Sequence, residues 1–270
     1  GLLSLLILSS CPLFIVFSRA ASMDGPLVAF LTIALLAAFQ AHLTGGLALA
    51  LVAAVALGLA TLAKGPVALL VALVVMVCFR TLRNRPFWNL RQLAGGLLML
   101  AVITAPWFWL VWEARGEDFV VTFVLNHHLA RYLTDIHHHS RPLWFFLPVI
   151  VAGCFPWVVF LGSSLARTWR KPSSLLDGKT GLQLYLWLWV AVPFFFFSLS
   201  ASKLAGYILP VVPPLAMLIA LEWDRLFDRE VTAIRMLRIE LALVSAGAVL
   251  IGLTSAETVL HKVESNLEVM

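Results

Sequence analysis

The amino-acid sequence predicts an all-α fold, a bundle of about nine membrane-spanning helices. Two observations carry that prediction: the chain is too apolar for water, and its apolar residues fall in runs of span length. Hydrophobic residues make up 61% of the 270 positions and charged residues 12%, about half the charge a soluble domain of this size carries. The mean hydropathy is +0.97. A third observation orients the bundle, because its basic residues are spread unevenly over the connections between runs.

In chain order the spans are Leu2–Phe17, Pro26–His42, Gly46–Ala63, Pro66–Phe79 and Ala94–Trp112, then Leu143–Leu165, Leu182–Leu199, Tyr207–Leu221 and Ile239–Thr254. Each is near the ~20 residues that cross about 30 Å of hydrocarbon. They form a single transmembrane domain over residues 1–270, with its largest connection at about 113–142. The chain opens at Gly1 on the edge of an apolar run, with no charged leader before it, and reads as a fragment without a signal peptide. Cys11, Cys78 and Cys154 lie inside apolar runs and read as small hydrophobes, not as a disulfide framework or zinc site.

Lysine and arginine concentrate on alternate connections. With the first connection outside, the inside connections hold Arg80, Arg83, Arg85, Arg91, Arg167, Arg170, Lys171, Lys179, Arg225, Arg229, Arg235 and Arg238, twelve of the 19 basic residues. The positive-inside rule therefore places the odd connections on the non-cytoplasmic face. It also explains the pI near 9.5 without nucleic acid as a partner. Most remaining ionisable residues gather on that outer face, where charges at span ends point to function by default.

Four outer segments stand out. Ser18–Pro26 is a small-residue turn whose Asp24 either caps the next helix or orients a sugar hydroxyl or a metal, while Arg19 beside it fits a snorkelling anchor as well as a site residue. In Ala63-Lys64-Gly65-Pro66 a cation precedes a helix N-terminus, which suits a phosphate; the glycine spacing of a P-loop is absent. His128 and Arg131 are three residues apart and would share a helical face, where an arginine can grip a phosphate with two bonds. His137–His139 suggests metal, but consecutive side chains do not all point one way, and the metal remains unassigned. Ser200–Pro210 places Lys203 and Tyr207 at the rim of a helix that Pro210, Pro213 and Pro214 must bend.

Met23-Asp24, Thr61-Leu62-Ala63-Lys64-Gly65-Pro66, Ala105-Pro106-Trp107 and His128-x-x-Arg131-Tyr132-Leu133 recur in a known order. Pro142–Pro148 and Ser202-Lys203-Leu204-x-x-Tyr207-Ile208-Leu209-Pro210 complete it. Together, over about residues 19–215, they resemble the GT-C fold membrane glycosyltransferases, in the branch of aminoarabinose transferases and dolichyl-phosphate-mannose-protein mannosyltransferase-like enzymes. The resemblance implies a multi-pass enzyme of the bacterial inner membrane with its active face periplasmic. It would move a sugar from a polyprenyl-phosphate donor, such as undecaprenyl phosphate, to lipid A, another glycan or a protein. It assigns the donor phosphate to Lys64, Arg131 and Tyr207, with Lys203 a secondary contact, Asp24 the second acidic residue of the catalytic site, and Arg19 and His128 in support. The family's principal aspartate belongs to an earlier outer loop. His127 stands where the family often has glutamate, and a divalent cation stays open as cofactor. The alternative is a polyprenyl-phosphate or anionic-lipid flippase, although no internal repeat of the transporter kind is visible.

Overall fold

The computed structural model describes residues 1–20, 22–116, 141–170 and 181–227, with positions 172, 175, 238, 239, 242, 245 and 246 besides. Its helices are α1 (Leu2–Ser10), α2 (Pro12–Arg19), α3 (Asp24–Thr44), α4 (Leu47–Lys64), α5 (Val67–Arg83) and α6 (Leu90–Arg115). They continue with α7 (Phe146–Gly153), α8 (Val158–Arg170), α9 (Leu182–Leu199) and α10 (Val212–Phe227). Two 3₁₀ segments, η1 (Leu143–Phe145) and η2 (Ala205–Val211), lead into α7 and α10.

Five described stretches are long and apolar enough to cross a bilayer: α3, α4, α6, α9 and the continuous Ala205–Leu226; a sixth appears if α1 and α2 count as one bent span. The expected Leu2–Phe17 span is in fact bent by 72°. Pro12 opens α2 and lacks the N–H that would continue the helical ladder across Cys11. The expected Leu143–Leu165 span likewise divides into α7 and α8 at Cys154–Trp157. The Pro66–Phe79 run forms the 17-residue α5, and Ile239–Thr254 falls largely outside the described residues.

The two breaks pack on each other. Cys11 and Cys154 are buried, Trp157 Nε1 donates to Ser10 Oγ at 2.8 Å, and a Cβ on Gly153 would lie 2.6 Å from Leu13 Cβ. Elsewhere small residues allow the close approach that membrane helices use in place of a hydrophobic driving force. Ala34, Ala38 and Ala41 of α3 and Ala50, Ala53 and Ala60 of α4 are all buried where those helices pack. Gly58 of α4 leaves room for Ile103 of α6. The prolines of η2 and α10 lie in the most enclosed span, 78% buried against 6% for α6, so protein and not lipid surrounds the irregular backbone, as a bilayer requires.

The helices alternate in direction, which gives the bundle two distinct ends. At one, the Asn89–Gln92 capping box starts α6, and Gln92 Nε2 donates to the Ala41 carbonyl at 2.9 Å. His42 Nδ1 meets the Phe87 carbonyl at 2.6 Å, Phe39, Phe79 and Phe87 pack around its ring, and Tyr185 stacks on Phe39 and Phe87. Arg80, Arg83, Arg85 and Arg91 lie here. The opposite end collects the C-termini of α2, α4, α6 and α9, the N-termini of α3 and α5, and η2. Of the ionisable residues singled out from sequence, it carries Arg19, Asp24, Lys64 and Lys203.

Candidate functional site

Asp24 begins α3, but its carboxylate does not cap that helix: Met23 is the N-cap residue and no side chain caps it. The small residues before Asp24 leave the carboxylate open to the neighbouring helix end, where Oδ1 forms an ion pair with Lys64 Nζ. Oδ2 accepts from Ser22 Oγ at 3.4 Å. The pair is enclosed but accessible, with side-chain exposures of 29% for Lys64 and 15% for Asp24.

Lys64 is the last residue of α4. Gly65 ends the helix at φ 85°, ψ −164°, a positive-φ conformation that glycine alone adopts readily. Pro66 then leads into α5. Beyond this tight reversal the lysine Nζ turns to Asp24 and to the Tyr207 ring.

Tyr207 completes the described cluster from a distant part of the chain. Its ring centroid is 5.0 Å from Lys64 Nζ, a cation–π contact, and its other face leans on Phe197, 5.5 Å between centroids. Tyr207 is placed by η2, which packs against α2, α3, α7, α9 and α10. The closest approach is at Gly206: a Cβ there would lie 2.7 Å from Phe17 Cε1 and 3.2 Å from Asp24 Oδ2.

Of the residues picked out from sequence, the structure thus brings together Asp24, Lys64 and Tyr207. Lys203 is buried nearby in chain terms but turned to its own loop, donating to the Ser200 carbonyl at 2.6 Å. That bond neutralises a carbonyl at the C-terminus of α9, where a cation is favoured. Arg19 is exposed at the end of α2 and takes no part in the Asp24–Lys64 pair. His128, Arg131 and the His137–His139 tract lie outside the described residues. Ser22, Phe17 and Gly206 went unmarked in the sequence, although Ser22 and Gly206 sit inside segments already singled out. Among the described residues no three His, Cys, Asp or Glu side chains gather as metal ligands.

A second ion pair stands near the arginine-rich end. Arg167 of α8 binds Oε2 of Glu222 on α10, and Ser163 Oγ donates to Oε1 at 3.0 Å. Glu222 is buried.

The fold is that of a GT-C type polytopic membrane protein. Residues 1–109 match the family profile for dolichyl-phosphate-mannose-protein mannosyltransferase. The undecaprenyl phosphate-alpha-4-amino-4-deoxy-L-arabinose arabinosyl transferase of Erwinia tasmaniensis is 37% identical over 168 residues, 61% of this chain and 29% of that protein. A second transferase of that name, from Sodalis glossinidius, is 34% identical over 229 residues, 82% of this chain and 40% of the relative. The crystal structure of ArnT from Cupriavidus metallidurans bound to undecaprenyl phosphate superposes with a TM-score of 0.75 at 29% identity, over 90% of this chain and 44% of that one. The apo form of ArnT matches at 0.67. The chain is thus similar to aminoarabinose transferases over most of its own length, and spans less than half the length of these relatives.

Proposed function

We propose that this chain is part of an inverting glycosyltransferase that moves a sugar from a polyprenyl-phosphate donor to an acceptor hydroxyl at the periplasmic face of the bacterial inner membrane. The observation that carries the reading is the Asp24–Lys64–Tyr207 cluster at one end of the bundle. The similarity to transferases that use an undecaprenyl phosphate donor supports it. The arginine-rich opposite end supports a cytoplasmic assignment for that end, and hence a periplasmic one for the cluster.

In the reaction the acceptor oxygen bonds to the sugar's anomeric carbon as the bond from that carbon to the donor phosphate oxygen breaks. The electron pair leaves with polyprenyl phosphate, and the acceptor proton passes to a carboxylate. Lys64 neutralises charge growing on the departing phosphate, Arg131 shares that load from the 113–142 connection, and Tyr207 bounds the phosphate from the side of η2. Lys203 is a secondary phosphate contact, and Arg19 and His128 support the basic rim. Asp24 holds Lys64 in place before donor arrives and serves as the second acidic residue, receiving or orienting hydroxyl protons. The principal aspartate of the family belongs to an earlier outer loop. Asp24 is also the described site carboxylate that could ligate a divalent cation, and no step here depends on one. The acceptor is lipid A, another glycan or a protein.

The test uses the full-length protein in nanodiscs with a labelled polyprenyl-phosphate sugar. Acceptor-dependent release of polyprenyl phosphate is expected from the wild type, and Lys64→Ala and Arg131→Ala should each abolish it in folded protein. Donor movement between leaflets without release would replace the transferase with a flippase. Loss of release in a chelator, restored by added magnesium or manganese, would establish the cation.

A further inference from the structure

The tightest contact in the site involves a residue with no side chain. Gly206 sits one residue before Tyr207 and is itself buried. Its backbone φ is not in the left-handed region, so conformational freedom does not explain a glycine here. Space does. A Cβ at this position would fall 2.7 Å and 3.2 Å from Cε1 and Cζ of Phe17, and 3.2 Å from Asp24 Oδ2. The first distance lies well inside van der Waals contact, so either the ring or the η2 backbone would have to move.

Each neighbour leads to the cluster. Oδ2 is the Asp24 oxygen that faces Ser22, whereas Oδ1 faces Lys64. Pressure on Oδ2 therefore rotates or pushes the carboxylate that holds the lysine. Tyr207, on the next residue, contacts Lys64 from the other side. Moving η2 outward to admit a methyl group would widen that contact as well. Phe17 comes from α2, the second half of the bent first span, so the seat is shared by three distant chain segments.

We propose that Gly206 is a positioning residue: with no side chain, it lets η2 seat Tyr207 against Lys64, while Phe17 and Gly206 together fence the Oδ2 edge of Asp24. The inference rests on the phosphate-clamp reading above. It adds that the clamp's geometry is set by a steric fit at position 206 and not by polar bonds alone. Gly206 acts through Asp24, Lys64 and Tyr207 and touches no substrate.

The experiment compares Gly206→Ala, Phe17→Leu and the double variant in full-length protein reconstituted in nanodiscs. Two readouts are taken: the Kd for polyprenyl phosphate, and donor KM with kcat for its sugar-linked form. Gly206→Ala is expected to raise Kd and donor KM about tenfold, with a smaller change in kcat, since displacement by a fraction of an ångström is enough to loosen a clamp. Leucine at 17 has no atoms where the phenylalanine Cε1 and Cζ lie, so Phe17→Leu in the Gly206→Ala background should recover much of the binding. An Asp24→Ala background should shrink the Gly206→Ala effect on Kd, the coupling expected of a residue acting through another. A folded Gly206→Ala protein that binds like wild type would sink the proposal. So would a double variant no better than the single, with no coupling to Asp24, which is the result of a merely structural role. If the wild type binds polyprenyl phosphate but never turns over, the transferase reading fails while Kd still decides the role of Gly206.

Discussion

Two ion pairs among the described residues are built from the same chemistry and held in different ways. Arg167, in the last turn of α8, reaches Glu222 across the packed sides of α8 and α10, and the glutamate is buried and bonded on both oxygens. Asp24 and Lys64 occupy the first residue of one helix and the last of another, against a glycine turn and an aromatic ring. A pair across packed helix sides is locked by the packing of both helices. A pair between helix ends can exchange partners without repacking the bundle, which a substrate phosphate requires. The comparison teaches that the surroundings of the carboxylate, a buried helix–helix contact or an accessible bundle end, separate a strut from a site.

The largest effect should follow from breaking the end pair. Lys64→Met is expected to lower kcat/KM for the donor by at least about 100-fold. Asp24→Asn in that background should remove any destabilisation left by the unpaired carboxylate, without restoring activity. A thermal unfolding midpoint measured beside the activity separates the two. If Lys64→Met turned over normally, the site assignment would be lost.

Breaking the strut should invert that pattern. Arg167→Met leaves a buried carboxylate unpaired and should cost about 2 kcal/mol of stability, after discounting for the partly exposed arginine. Arg167→Met with Glu222→Met should recover most of it, with donor KM unchanged in the folded fraction. Detergent-melting curves with donor titrations on the surviving protein check both statements. Should the strut variants change donor KM at full folding, the division between the pairs would not hold.

Two finer changes sharpen the contrast. Asn89→Ala removes the N-cap side chain of α6 at the arginine-rich end and should lower stability by about 1 kcal/mol, visible as a lower unfolding midpoint with kinetics untouched. Tyr207→Phe keeps the ring over Lys64, and donor KM should rise only about threefold, the scale of one modest hydrogen bond. Tyr207→Leu removes the cation–π contact too and should exceed that.

Much of the site was legible because it is written locally. Lys64-Gly65-Pro66 describes its own turn, and alternating spans put Asp24 on the same end before any contact is known. The bends were not legible, because hydropathy counts apolar residues and is blind to where a ladder breaks: residues 2–17 and 143–165 read as unbroken runs. Pro12 was a visible signal for the first bend, weighted too little against the continuous apolar composition. The Gly206 contact was out of reach for a different reason. It depends on three segments whose approach is set by packing, and a lone glycine inside a motif does not say what fills the space beside it.

The paired elbows of the first and middle spans bear on how such a chain is assembled. Ser10 and Trp157, whose side chains bond across the two breaks, are separated by 147 residues. Backbone groups freed at a break are costly in hydrocarbon until something covers them. The first span therefore enters the membrane well before its cover has been synthesised. Its bent shape, and with it the seat that Phe17 offers to Gly206, is an acquisition of late biogenesis, completed when the later helices arrive beside it.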